Sequence, residues 1–262
     1  MKDITLGQYY PVDSIVHKLD PRVKIAGTFL FMIAIFHINT FYGFGMVAFL
    51  LCILIHVSKV PPKKLLQGIR GILVLLLISV SFNIFWTQGH VLWQFGMIRI
   101  TEEGLRKAGI LGLRLTFLVI GTSIMTLTTT PNDLADGLEK AFHPLKYIHI
   151  PVHEFAMMIS IALRFIPILM EETNKIMKAQ KSRGADFSSG GLIKRLKALL
   201  PLLIPLFVSA VRRAIELAVA MEARCYRGGD GRTKMKPLGY KKNDYVAYGF
   251  FAIFFIVVFL FF

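Results

Sequence analysis

Apolar residues form five stretches that are long enough, or nearly long enough, to cross a membrane as helices. These stretches are residues 25–38, 41–57, 71–87, 108–130 and 245–262. A membrane-spanning helix needs about 20 apolar residues, with a range of about 17–25. A single helix over 25–57 would be roughly 50 Å long, which exceeds a hydrocarbon core of about 30 Å. Asn39 and Thr40 favour a turn there, so the pattern predicts two spans in a tight hairpin.

Between the fourth and fifth stretches, the pattern changes to helices with one apolar and one polar face. Apolar residues recur at intervals of three and four, which is typical of amphipathic helices. We predict a short helix over about 131–142 and two unusually long helices over about 151–184 and 191–225. The apolar faces of the long helices either pack only against each other or also lie against the membrane surface.

Four residues of the long helices are candidates for a helix crossing. Ala210, Ala214 and Ala218 recur at four-residue spacing, and such small side chains let another helix approach closely in membranes. Pro167 should bend its helix, because proline removes a hydrogen-bond donor and clashes with the preceding turn. These four residues are therefore predicted to shape the place where the long helices meet each other or a partner.

The uneven distribution of basic residues sets the predicted orientation. The chain has 31 Lys and Arg against 16 Asp and Glu, a formal charge of +15, and most of the basic residues lie within 130–243. Lys and Arg collect in the cytoplasmic loops of membrane proteins. We therefore predict a cytoplasmic N-terminus, a cytoplasmic 130–243 segment and an extracellular C-terminus. This rule accounts for the charge without a nucleic-acid partner, and no basic groove with interleaved aromatics indicates one.

These features predict an all-α fold, namely a polytopic membrane bundle of about five transmembrane helices with three cytoplasmic helices, two of them long. The hydrophobic share of the 262 residues is 55%, above that of an ordinary soluble domain. The predicted division has three parts. Residues 1–130 contain an N-terminal cytoplasmic segment and four spans. Residues 131–243 form a cytoplasmic domain, and residues 244–262 form the last span.

Acidic residues are absent from every predicted span. No Asp or Glu occurs in 21–101, in 104–132 or after Asp244. Proton- and sodium-driven carriers usually keep ionisable groups at membrane depth, so an independent carrier is disfavoured. A P-loop is also missing, so the chain cannot be an ATPase of that class. We predict no catalytic, cofactor-binding or metal-binding residues, and we interpret Arg114 as a residue that snorkels near the outer end of the fourth span.

Both long helices end in an arginine between two small residues. The two tips are Ser182, Arg183, Gly184 and Ala223, Arg224, Cys225. An arginine at a helix C-terminus could simply interact with the negative end of the helix dipole, worth about 0.3–1 kcal/mol. The repetition at two successive long helices, with small neighbours that leave the guanidinium accessible, favours a docking role.

Short motifs recur over nearly the whole chain and in a fixed order. They are LDPRVK at 19–24, TTTPNDLADGLE at 128–139, RFIP at 164–167, the two arginine tips and GRTK at 231–234. Each motif is weak by itself. Together they resemble the transmembrane T component of energy-coupling factor (ECF) transporters, a family that includes the cobalt-transport permeases.

The resemblance implies a subunit that couples energy to transport and is not itself an enzyme. In similar proteins, X-Arg-X motifs at the ends of two cytoplasmic coupling helices insert into grooves of two ATP-binding-cassette ATPase subunits. By position, the docking residues would be the six residues of the two tips. Glycine or alanine is more usual where Cys225 stands, but cysteine is still small.

The resemblance also implies further partners and a location. The chain would act with a membrane-embedded, substrate-binding S component in the lipid bilayer of the bacterial plasma membrane, for the uptake of a vitamin or metal. Ala210, Ala214, Ala218 and Pro167 would pass the motion of the ATPases to that component. Two other functions remain open from the residues alone: a polytopic membrane enzyme with a cytoplasmic active site, and an independent channel or carrier.

Overall fold

In the computed structural model the chain is almost entirely helical. The structure describes residues 9–261 except for 96–97, 143, 145–146, 148–150, 186–190 and 229–237. The helices in these residues are α1 (Pro21–His37), α2 (Phe41–Ser58), α3 (Pro62–Trp86), α4 (Glu102–Thr128), α5 (Pro131–Ala141), α6 (Val152–Ser182), α7 (Leu192–Ala223) and α8 (Lys242–Phe261). Strands β1 (Val91–Phe95) and β2 (Ile98–Thr101) form one antiparallel hairpin between α3 and α4. The predicted all-α fold is confirmed.

The chain divides into two compact units. The first, here called the membrane unit, comprises 1–141 and 238–262 and contains α1–α5, the hairpin and α8. The second, here called the long-helix unit, comprises 142–237 and contains α6 and α7. The division of the sequence at residues 130 and 243 stays a prediction, and α5 packs against α1 within the membrane unit.

Five helices in the described residues are long and apolar enough to cross a membrane, namely α2, α3, α4, α6 and α8. The number agrees with the predicted number of about five spans, but the set differs in one member. Helix α1 has only 17 residues, which extend about 26 Å, slightly less than a typical hydrocarbon core. Helix α6, which the sequence predicts as cytoplasmic, satisfies the same criteria of length and composition.

Helix α1 lies at the centre of the membrane unit because glycines let its neighbours approach. Gly27 of α1 faces α8 so closely that an added Cβ would lie 2.5 Å from the Phe251 ring. Gly121 of α4 gives similar access to Phe31 of α1. Consequently Ala34, which is fully buried on α1, belongs to an apolar core that α2, α4 and α8 complete.

In the long-helix unit, α6 and α7 form an antiparallel pair. Three cross-contacts show this. The Gln180 side-chain amide donates to the Pro201 carbonyl at 3.4 Å, Arg213 contacts Glu172 at 3.4 Å, and the Tyr226 hydroxyl donates to Met157 Sδ at 3.0 Å. The residue numbers rise on one helix as they fall on the other, so the C-terminal end of each helix lies beside the N-terminal end of its partner. Both helices continue through their internal prolines.

Candidate functional site

The arginine tip of α6 is built as a Schellman motif, a helix ending closed by two backbone hydrogen bonds. The Gly184 N–H donates to the Lys181 carbonyl at 3.0 Å, and the Ala185 N–H donates to the Gln180 carbonyl at 3.0 Å. Gly184 has a φ of +86°, the left-handed conformation that this ending requires. Arg183 is the capping residue, so its side chain leaves the helix where the backbone turns away.

The tip of α7 repeats the same ending, residue by residue. The Cys225 N–H donates to the Glu222 carbonyl at 2.9 Å, and the Tyr226 N–H donates to the Met221 carbonyl at 3.0 Å. Arg224 is the capping residue, as Arg183 is on α6. Cys225 takes the left-handed position with a φ of +57°, although it is not glycine. The two tips therefore share backbone geometry as well as sequence.

All six tip residues are exposed. In the described part of the chain, neither the Arg183 nor the Arg224 guanidinium has a hydrogen-bond or ion-pair partner. Because α6 and α7 are antiparallel, the tips lie at opposite ends of the pair, separated by about the length of one helix, or roughly 45 Å. A single guanidinium offers five donors in a rigid fork, so each tip presents an unused set of donors to its surroundings.

The three alanines among the predicted crossing residues line a cavity between α6 and α7. Its volume is about 310 Å³, and Ala210, Ala214 and Ala218 of α7 face Phe165 and Leu169 of α6 across it. Ala214 and Ala218 are exposed. The small side chains thus leave open space between the helices here. Pro167 is exposed on α6 and does not line this cavity.

A polar link beside this cavity was not predicted from the sequence. Arg213 of α7 lines the cavity and contacts Glu172 of α6 at 3.4 Å, with both side chains partly exposed. The Arg213 Nε atom is buried and has no hydrogen-bond partner among the described residues. The charge pattern could have indicated the pair, because a cation within a stripe of apolar and small residues needs an acidic partner.

The first matching motif, LDPRVK, forms the polar start of α1. The Asp20 carboxylate accepts the Arg22 backbone N–H at 2.9 Å and pairs with the Arg22 guanidinium through Nε at 3.0 Å and Nη2 at 2.9 Å. Burial raises the pKa of the Asp20 carboxyl, but the hydrogen bonds and charge of Arg22 outweigh burial and hold this pKa below its usual value. Asp20 is therefore a charged N-cap with a bidentate partner.

The first and second motifs are joined by Lys24. Its Nζ donates to the Thr128 carbonyl at 2.8 Å and to the His17 carbonyl at 3.2 Å. Thr128 ends α4 and begins the second motif, and the Lys24 side chain lies almost completely buried there. Gly137 of the same motif lies against Pro21, where an added Cβ would be 2.8 Å from the proline Cβ. These motif residues hold α1, α4 and α5 together.

The remaining motifs lie on or after the long helices. Arg164 is exposed on α6. Gly231–Lys234 lies outside the described residues. The sequence did not predict a role for Asp244, which is buried at 1% exposure and accepts hydrogen bonds from the Asp20 and Lys241 backbone N–H groups.

The family model described as "Cobalt transport protein" (CbiQ) matches residues 13–235. The chain is 50% identical to the "Energy-coupling factor transporter transmembrane protein EcfT" of Ruminiclostridium cellulolyticum, over 97% of this chain and 95% of the relative. It is 52% identical to the protein of that name from Clostridium kluyveri, over 94% and 92% of the two chains.

A more distant relative shows the same coverage. The EcfT protein of Bacillus subtilis is 44% identical, over 93% of this chain and 92% of its own length. The family-model match over residues 13–235 includes the polar start of α1 and both arginine tips, so it extends over both structural units. The chain belongs to the CbiQ/EcfT family, the multi-pass transmembrane components of energy-coupling factor transporters.

Proposed function

We propose that this chain transmits the ATP-driven motion of two ATP-binding-cassette ATPase subunits to a membrane-embedded S component that binds the transported vitamin or metal. ATP binding draws the two ATPases together, and each carries one arginine tip with it. The long helices then change their crossing, and the S component follows and releases its substrate inside the cell. The chain supplies no catalytic group to this cycle.

The observation that carries the proposal is the pair of matching tips at opposite ends of α6 and α7. Each tip has an exposed arginine at the same capping position, with a small residue on both sides. A separation of roughly 45 Å prevents one groove from holding both tips. Two equal ATPase subunits, each with an acceptor groove of its own, match this duplication.

The apolar faces of the long helices suit contact with a second membrane protein. Leu203, Phe207 and Ile215 of α7 are more than half exposed. Large exposed apolar surfaces mark contacts with lipid or protein partners. The cavity beside Ala214 gives the two helices room to change their crossing angle. We propose that the S component binds on these faces and follows that change.

The proposed orientation follows from charge. With most of the basic residues inside, the N-terminus and the arginine tips face the cytoplasm, where the ATPases lie, and the C-terminus faces outward. The relatives are bacterial, which agrees with a plasma-membrane location.

Charge reversal at the tips tests the function directly. Removing one partner of a buried, hydrogen-bonded charge pair costs about 2–5 kcal/mol of binding, mostly through a faster off-rate. Arg183→Glu or Arg224→Glu should each weaken co-purification of the ATPase subunits and lower vitamin uptake by cells, and the double variant should abolish both. Lysine should rescue only part of the loss, because it lacks the bidentate fork.

Arg227→Glu is the matched control, since Arg227 is an exposed arginine three residues after Arg224. It should bind the ATPases and support uptake almost as the wild type does. Normal ATPase co-purification and uptake in the Arg183→Glu, Arg224→Glu double variant would refute the docking mechanism. It would mean that these arginines act only as cations at the helix ends.

A further inference from the structure

The long-helix unit is attached to the membrane unit by two covalent connections. The chain leaves the membrane unit after Ala141 and returns at Leu238. Any force that acts on the long helices must be resisted where these two connections begin and end. The residues of the membrane unit around positions 141 and 238 therefore decide whether the two attachment points stay fixed while the long helices move.

The first connection begins from α5, which is held on α1. Thr130 caps α5 by accepting the Asp133 N–H at 3.1 Å. Gly137 lies so close to α1 that an added Cβ would be 2.8 Å from the Pro21 Cβ and 3.1 Å from Ile25 Cδ1. Helix α5 thus has no room for a shift toward α1, and its last turn has a defined position.

The second connection ends in a segment that is held on the same turn of α1. Asp244 Oδ1 accepts the Asp20 N–H at 2.8 Å, and Asp244 Oδ2 accepts the Lys241 N–H at 2.6 Å. The Arg22 guanidinium lies over the Tyr240 ring, 3.9 Å from its centre. The returning chain is therefore fixed to α1 by Tyr240 and by the first turn of α8.

A hydrogen bond joins the helix turn where the first connection begins to the residue where the second connection ends. Lys140, in the last turn of α5, donates from Nζ to the Leu238 carbonyl at 2.7 Å. Lys140 also lies near enough to Asp20 for its charge to act on that carboxylate. A cation that donates to a carbonyl makes a stronger bond than a neutral donor does. The bond spans 98 residues of sequence, with the whole long-helix unit between its ends.

We propose that the Lys140–Leu238 hydrogen bond is a clasp, which stays intact through the transport cycle and holds the two connections together where they join the membrane unit. Force on the arginine tips then changes the crossing of α6 and α7 and does not move the two connections apart. Lys140 is then a positioning residue for coupling. This inference rests on the proposed function.

The test uses the complete complex, with its ATPase subunits and a vitamin-binding S component, in liposomes. Lys140→Met removes the donor but keeps an unbranched apolar stem. The ATPase subunits should still co-purify and hydrolyse ATP, while the vitamin moved per ATP hydrolysed should fall severalfold. Lys140→Arg should restore most of that ratio, because arginine keeps a charged donor. Lys242→Met, at an exposed lysine nearby, should leave the ratio unchanged.

A cross-link gives a second, independent measurement. Lys140→Cys and Leu238→Cys are introduced into a chain that carries Cys52→Ala and Cys225→Ala, and the pair is joined by a short, reducible bismaleimide. Because Lys140→Cys itself removes the donor of this bond, the linked complex should move more vitamin per ATP hydrolysed than the same complex does after reduction. Loss of transport that reduction reverses would show that the clasp must open and would overturn the proposal. So would a Lys140→Met complex with the wild-type ratio of transport to hydrolysis.

Failure of the proposed function would look different. In that case the wild-type complex itself would show no ATP-dependent uptake, and the clasp would be rejected together with the coupling role. A defect confined to the Lys140 variants, with rescue by arginine and with transport by the cross-linked complex, supports the clasp alone.

Discussion

The backbone N–H of Asp20 donates a 2.8 Å hydrogen bond to Asp244 Oδ1, and so the first and last helices of the chain are joined at their N-terminal ends across 224 residues of sequence. The Asp244 carboxylate is buried and its second oxygen accepts the Lys241 N–H at 2.6 Å. Both oxygens of one carboxylate are thus used to fix the returning chain. Removing this carboxylate should therefore affect folding before it affects transport.

Asp244→Asn should therefore destabilise the membrane unit. The amide keeps one acceptor oxygen and places an NH₂ group where the other oxygen accepted a backbone N–H. A hydrogen bond to a charged group contributes about 1.5–3 kcal/mol, so the loss should be of that order. Thermal unfolding in detergent measures it. Asp13→Asn is the control, because the Asp13 side chain is 95% exposed in a loose pair with Lys18. Equal unfolding temperatures for Asp244→Asn and the wild type would contradict this role.

Stability should also depend on pH through Asp20. The pKa of Asp20 is lowered in the folded chain, so its contribution to stability is present above the unfolded pKa of about 4 and is lost as the pH falls through the folded pKa. The difference in unfolding temperature between wild type and Asp20→Asn should be largest at neutral pH and should shrink below about pH 4. A constant difference from pH 7 to pH 3 would argue against a charged Asp20 in the fold.

Local signals were sufficient to predict most helices. Helix α5 begins at Pro131, as predicted, and Thr130 caps it by accepting the Asp133 N–H. The arginine tips could be predicted because a helix ending is determined by a few adjacent residues. The hairpin in 91–101 was not predicted, although two β-branched or aromatic runs flank Gly96 and could have indicated it.

Long-range pairings could not be predicted from local patterns. Arg114 was expected near the outer end of the fourth span, but it lies near the middle of α4. Its Nη2 donates to the Ile38 carbonyl at 2.8 Å and to Asn39 Oδ1 at 3.0 Å, so it caps the end of α1. Asp244 likewise has a role only because α1 lies beside it. A single sequence contains no signal for which distant backbone group will need a partner.

The left-handed positions at the two tips predict opposite responses to substitution. Cys225→Gly should stabilise the α7 ending by about 1 kcal/mol, because a left-handed backbone costs an L-residue about 1–2 kcal/mol. Gly184→Ala should loosen the α6 ending by a similar amount. Hydrogen exchange of the amides at 184–185 and 225–226 measures both effects locally.

Gly191→Ala is the matched control for this pair. Gly191 and Gly184 both have open space around the position of an added Cβ, but only Gly184 has a positive φ. Gly191→Ala should leave exchange at the tips unchanged. Slower amide hydrogen exchange at 184–185 in Gly184→Ala than in the wild type would show that the ending does not need a residue that readily adopts the left-handed conformation.

The proposed orientation predicts which cysteines can be labelled from outside intact cells. In a Cys52→Ser, Cys225→Ser background, Gln88→Cys should react with an impermeant maleimide, because Gln88 is exposed in the loop before the hairpin. Ser188→Cys, in the predicted cytoplasmic segment and outside the described residues, should react only after permeabilisation. Labelling of Ser188→Cys in intact cells would reverse the orientation and remove the ATPases from reach of the tips.

Ala214 lines the cavity between the long helices and is exposed. A leucine has room there in this structure, so Ala214→Leu should leave the unfolding temperature and ATPase co-purification close to wild type. If the cavity closes as the crossing changes, the added methyl groups will oppose the closed state. Overpacking costs about 1–3 kcal/mol, and 1.4 kcal/mol is a factor of ten in an equilibrium, so uptake should fall about tenfold or more.

Ala220→Leu separates this effect from a general one, because Ala220 is exposed on the same helix but does not line the cavity. Uptake, ATP hydrolysis and unfolding temperature are measured together for both variants. A selective loss of uptake in Ala214→Leu would mean that the open space beside the small residues is used during the cycle. Wild-type uptake in Ala214→Leu would mean that this face stays open throughout. The crossing of α6 and α7 would then have to change about some other contact, such as the Arg213–Glu172 pair, whose arginine lines the same cavity.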